Sequence, residues 1–233
     1  MSVVVAVGLC TVDLLQRVGT LPAPGEKVQS SSVELAAGGP AANAAVAVAA
    51  LGGSVRLSTV LGSHPLAQLA LRDLEACGVE VTDLLPYRVA PPAVSAVSVR
   101  EADGERTVVS HNAAGVAVMA DVELGGAGCL LLDGHHPDLA LRAARAAREL
   151  GIPVVLDAGS WKPVLADLLS YVDVCACSAA FSAPSPLINP VVIRTAGPDP
   201  VAWAAGDSRG EVEVPPTEAR DTVGAGDVWH GAA

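Results

Sequence analysis

Apolar residues in this chain come in short blocks, and glycine, proline or polar residues mark their ends. Val3 to Val7 is an unbroken apolar run closed by Gly8, the pattern of a strand covered on both faces. VRLSTVLG (55–62), CLLLDG (129–134), IPVVLDAG (152–159), VDVCAC (172–177) and VVIRT (191–195) repeat it. Helical patterns lie between. AANAAVAVAALG follows Pro40, which suits a first helical position, and ends on Gly52, which suits a C-cap. HPLAQLALRDLEACG (64–78) and PDLALRAARAAREL (137–150) likewise start at a proline and meet a glycine at the far end. Strands alternating with helices predict βαβ units and a mostly parallel sheet.

Three segments follow another rule. KVQSSSVEL (27–35) is polar and alternating. VSAVSVR (94–100) and ERTVVS (105–110) alternate around Asp103-Gly104, a hairpin signal. Together they predict a small separate sheet. The Pro-rich SAPSPLINP (182–190) joins two strand patterns without room for a helix and breaks the rhythm. The expectation is one α/β domain over residues 1–233.

Composition narrows the picture. At 233 residues with 3% aromatics, the core must be aliphatic, and the Ala-rich helix must pack closely on something flat. A net charge of -11 argues against nucleic acid or an anionic membrane as partner. Five cysteines without regular spacing argue against a disulfide framework, so Cys175 and Cys177 read as buried thiols. The N-terminus lacks a basic signal-peptide region, and no apolar stretch reaches membrane-helix length. A soluble, cytoplasmic protein is expected.

The chemistry concentrates in DTVGAGD (221–227), just before an expected helix near Ala225. Free N–H groups at a helix start favour an anion, and glycine lets a ligand oxygen approach the backbone. A carboxylate inside such an anion site has two readings. Asp227 stabilises the first helical turn, or it is a base beside a transferring phosphoryl group, with the N–H groups of Gly224, Ala225 and Gly226 holding the developing charge.

DTVGAGD resembles the signature of the ribokinase-like (PfkB) family of carbohydrate kinases, and GGPAANAAVAVAALG resembles that family's glycine-glycine motif with its asparagine. The order of elements matches over nearly the whole chain. The resemblance implies a three-layer α/β/α fold with a mostly parallel central sheet and a small β lid from about 12–36 and 89–112. It implies transfer of the γ-phosphoryl group of ATP, with Mg²⁺, to a hydroxyl of a small carbohydrate. By it, Asp227 is the catalytic base, and Gly224, Ala225 and Gly226 form the anion hole. Asp13, Gly38, Gly39 and Asn43 contact the sugar. Thr195 and Gly197 resemble a nucleotide-side Thr-x-Gly turn, joined by Thr222. Lid-to-lid homodimers are implied too. A nucleoside kinase of the same superfamily, or an inactive sugar-binding relative, are the rival readings. Apart from the resemblance, Asp157, Ser160 and Lys162 lie at the C-terminal end of a strand pattern, where α/β sheets bind ligands, and Lys162 reads either as a phosphate contact or as a solvated loop lysine.

Three departures stand out. The family's Asn-x-x-Glu motif, which organises magnesium and phosphate, is replaced by Ser178-Ala179-Ala180-Phe181. The 182–190 connector is short. The family continues for several helices past GAGD, so the resemblance implies a chain truncated at Ala233. Elsewhere, adjacent His135 and His136 point apart and make poor joint metal ligands, so no metal-ligating residue is assigned. Arg100 and Arg106 read as surface partners of Glu101 and Glu105, and Trp161 and Trp203 as packing near loops.

Overall fold

A computed structural model describes residues 2–113, 115–217 and 224–232. Its central sheet has nine strands. In chain order these are β1 (Val3–Val7), β4 (Ser54–Thr59), β5 (Glu80–Asp83), β8 (Ala127–Leu132), β9 (Val154–Ala158), β10 (Val174–Cys177), β11 (Val191–Ala196), β12 (Asp199–Ala205) and β13 (Ser208–Val212). The spatial order is β13-β12-β11-β10-β9-β8-β1-β4-β5. Strands β11 through β5 run parallel, and β12 and β13 form an antiparallel edge.

Alternation explains why β1 reads as continuously apolar. Val5 and Val7 enter one core with α3 (Pro137–Leu150) and the short α4 (Leu165–Leu168). Ala6 between them enters a second core with α1 (Pro40–Ala50) and α2 (Pro65–Ala76). Helices on both faces of the sheet make the expected three layers.

The smaller sheet has the order β3-β2-β6-β7, from β2 (Thr11–Val18), β3 (Ser30–Gly38), β6 (Ala93–Arg100) and β7 (Arg106–His111). The hairpin and the polar strand were legible, but they do not pair directly. Strand β2 lies between them, antiparallel to β3 and parallel to β6. TVDLLQRV hides this strand because its paired leucines break the alternation. The 182–190 connector holds no helix, as expected. No helix among the described residues is long and apolar enough to cross a membrane.

At the hairpin turn Arg100 pairs with Asp103 and Glu105, not Glu101. Glu101 instead accepts from the Ser31 hydroxyl. Trp161 does have a ring partner: Phe181 lies 6.2 Å away, centroid to centroid, at a tilt of 42°. All five cysteines are free.

Candidate active site

The carboxyl ends of the parallel strands share one edge with the start of α1, where open α/β sheets bind ligands. Helix α1 begins at Gly39, whose φ of +94° only glycine adopts comfortably. A side chain there would also meet the backbone, since an added Cβ would sit 2.6 Å from the Leu9 carbonyl oxygen. No side chain caps this helix locally. The cap comes from Asp133, just past β8, whose Oδ2 accepts from Ala41 N at 3.2 Å and Leu9 N at 2.8 Å. Its Oδ1 accepts from His135 N at 2.9 Å. One carboxylate, 1% exposed, thus ties together the ends of β1 and β8 and the first turn of α1.

The glycine-rich turn meets α1 from the other side. Helix α5 (Ala225–Ala232) begins where the sequence predicts, after Gly224 at φ +69°. Asn43 Nδ2 donates to Asp227 Oδ2 at 2.8 Å, across 184 residues. Asn43 N donates to Gly39 O at 2.8 Å as α1 starts. Gly224 faces the same amide, since a Cβ there would lie 3.0 Å from Asn43 Nδ2. One turn further along, Gly231 lets α5 settle on the Ala44 backbone, and any side chain would collide with it. At the other flank, Asp13 Oδ1 accepts from Thr11 Oγ1 at 2.6 Å, and a side chain on Gly38 would strike the Asp13 carboxylate. Pairwise contacts thus link Asp13 to Gly38, Gly39 to Asn43, and Asn43 to Gly224 and Asp227.

Asp227 differs from an ordinary exposed acid. Burial and the neighbouring charge of Asp157 push its carboxyl up from 3.8 to about 6, against the pull of Asn43 and His230. A carboxyl poised there is ionised at neutral pH, yet takes a proton more readily than an exposed acid. Behind it, Asp157 of β9 and His230 of α5 are each 2% exposed, with Oδ1 and Nδ1 2.9 Å apart. The sequence pattern pairs neither of these residues with Asp227. Asp157, Asp227 and His230 lie close enough to share a cation. Asp227 already accepts a hydrogen bond from Asn43, and no metal is assigned here.

The nucleotide-side residues are placed less compactly. Thr195 lies near the carboxyl end of β11, its Oγ1 3.4 Å from Cys177 O, and Gly197 turns the chain into β12 at φ +63°. Thr222 lies outside the described residues. Lys162 lines a cavity of about 760 Å³ with Asn112, Gly134, His135, Asp138 and Ser160, and its Nζ reaches the Ser160 carbonyl at 3.4 Å. Where the sequence lacks the acidic motif, Arg194 Nη1 donates to the carbonyls of Ser178 and Phe181 at 3.1 and 2.9 Å. A cation already serves that segment, so it does not fit a protein-held metal. His135 and His136 are both pulled below their usual pKa, chiefly by burial.

Comparison with known proteins bears on the fold and the family. A ribokinase of Arabidopsis thaliana is 28% identical over 181 residues, covering 73% of this chain and 48% of the relative. An ATP-dependent ribose-1-phosphate kinase of Halopiger xanaduensis is 31% identical over 160 residues, covering 67% and 54%. The chain thus spans about half the length of these two relatives. Among solved structures, an Agrobacterium tumefaciens protein assigned as a ribokinase superposes with a TM-score of 0.85 at 27% identity, covering 99% of this chain and 82% of that one. The Arabidopsis ribokinase solved with ribose and ATP superposes with a TM-score of 0.77 at 23% identity, over 99% and 84%. The family model of the pfkB family carbohydrate kinases matches residues 1–233, and the chain belongs to that family.

Proposed function

We propose that this protein transfers the γ-phosphoryl group of ATP to a hydroxyl of a small, ribokinase- or fructokinase-type sugar, with Asp227 as the base. One observation carries the reading. The Asn43–Asp227 hydrogen bond of 2.8 Å joins the glycine-glycine helix to the glycine-rich turn, beside a carboxyl raised to about 6. In the proposed step the sugar hydroxyl gives its proton to Asp227 while its oxygen attacks the γ-phosphorus. The bond to the β-phosphate oxygen breaks, and ADP leaves. The N–H groups of Gly224, Ala225 and Gly226 hold the charge on the migrating group, since the first amides of a helix have no partner within it. Asp13 and the glycine surface of Gly38 and Gly39 hold the sugar, and Asn43 holds both the sugar and the base.

In this reading ATP lies at the Thr195–Gly197 turn, with Thr222 and Lys162 as further nucleotide contacts. The nucleotide would bring Mg²⁺ on its own phosphates, where the ion neutralises charge. Ser178–Phe181 offers it no carboxylate, and no step is drawn through a metal. The four-stranded sheet serves as the lid, excluding water so that ATP is not hydrolysed. One face of it carries a row in register, Leu35, Leu14, Ala96 and Val109, in which Leu35 and Val109 are strongly exposed. A second copy of the chain covers this row in a lid-to-lid dimer. A nucleoside acceptor is less well supported, since Tyr87, the aromatic residue nearest the lid in sequence, is 92% exposed. The acidic surface and the free thiols suit a cytoplasmic protein without nucleic-acid or membrane partners.

The test is transfer of labelled phosphoryl from ATP to a panel of pentoses and hexoses. Transfer to at least one sugar, lost in Asp227→Asn, supports the reading. Sugar binding without turnover in the unaltered protein overturns it in favour of an inactive relative.

A further inference from the structure

Asp157 and His230 are buried ionisable groups that the proposed reaction does not use. Asp157 lies on β9, one residue from its end. His230 sits three residues after Asp227, on the same side of α5. Their side chains are each 2% exposed, and Oδ1 lies 2.9 Å from Nδ1. One atom of each, with one from Asp227, falls within a 4.8 Å cluster. Asp157 Oδ2 and both ring nitrogens of His230 have no hydrogen-bond partner, an arrangement that costs free energy in a dry interior. A plain strut between α5 and β9 would be cheaper as an apolar pair. An ionisable pair kept at this cost, directly behind an acid, has a use that a strut lacks.

We propose that Asp157 and His230 form a buried positioning pair behind Asp227, which orients its carboxylate and sets the pH at which it accepts a proton. The inference rests on Asp227 being the base of the proposed kinase. The two members act in opposite senses. The charge of Asp157 favours the protonated form of Asp227, and His230 favours the ionised form. Two further neighbours contribute to the balance. Asp133, past β8, pushes in the same direction as Asp157, and Asn43 of α1 donates to the ionised carboxylate. On the far side, His230 also faces Cys177 of β10, which Arg194 of β11 faces as well.

Opposite signs make the test sharp. Asp157→Asn removes the like charge, so the Asp227 pKa falls. His230→Gln removes the stabilising partner at nearly constant volume, so the Asp227 pKa rises. Each shift should be roughly one unit, the size expected of a charge within a few ångström. The carboxyl ¹³C resonance of Asp227, titrated in the folded protein without substrates, reads this directly. The acidic limb of the kcat/KM profile should move with it. Opposite shifts in the two variants support the pair. Unmoved titrations in folded variants, with only lower melting temperatures, reduce it to a strut and overturn the proposal. If Asp157→Asn does not fold, His230→Gln alone decides by whether its titration moves upward. The ¹³C readout needs no turnover, so opposite shifts in a protein that transfers no phosphoryl group would keep the pair and remove the kinase reading instead.

Discussion

Two acids at the same sheet edge, Asp133 and Asp227, have opposite surroundings. Asp133 is 1% exposed and accepts three backbone N–H groups, from Leu9, Ala41 and His135. Asp227 accepts one side-chain amide, from Asn43, and is pushed up to about 6. A carboxylate whose lone pairs are taken by fixed backbone donors holds elements together and has nothing left for a substrate. One that is desolvated, faces a second acid and has few donors is ready to take a proton. Burial alone does not tell them apart, and the donor set does.

The widest break in that contrast comes from Asp227→Asn. Phosphoryl transfer should fall about 10²–10⁴-fold, the range for a lost general base. The unaltered protein should gain activity as pH rises through about 6, measured as kcat/KM against pH. Stability should run the other way. The folded carboxyl binds its proton more tightly than an ordinary 3.8 carboxyl, so the folded state takes up a proton between those two values. Asp227 then costs stability fully above about pH 6 and nothing well below 3.8. At pH 8 Asp227→Asn should unfold up to about 3 kcal/mol harder, at 1.36 kcal/mol per unit, and that gain should vanish at acid pH. Urea unfolding at the two pH values checks it.

Asp133→Ala should do the reverse, since it leaves three backbone donors without an acceptor. A loss of about 3 kcal/mol or more is expected, seen as a lower urea midpoint at every pH where the chain folds. Gly231→Ala forces α5 away from the Ala44 backbone. It should cost about 1–3 kcal/mol, as overpacking does, and lower kcat by displacing Asp227, read from melting temperature and turnover together. The smallest effect is expected far from either acid, in the exposed row of the small sheet. Val109→Ser should change monomer stability by less than about 0.5 kcal/mol, yet weaken a lid-to-lid dimer in sedimentation velocity.

Much of this was readable one segment at a time. The helix start at Ala225 follows from its glycines, and α1 from Pro40 and its alanine run. Buried strands such as β1 announce themselves as unbroken apolar runs because helices cover both faces. Strand β2 escaped because Leu14 and Leu15 are adjacent, although it carries Asp13 and joins the small sheet together. Strands β5 and β12 and the short helix α4 were also passed over, being short or ambiguous in period.

The amino-acid sequence alone determined the fold class and marked the turn at 224–227 as a candidate anion site, since periodicity, glycine and proline positions and one carboxylate act over a few neighbouring residues, and two quoted motifs carried the family resemblance. Only the tertiary structure showed how differently Asp133 and Asp227 are surrounded. That depends on donors and charges brought from 92 and 184 residues away, and on the burial of Asp157 beside His230, none of which a local pattern encodes.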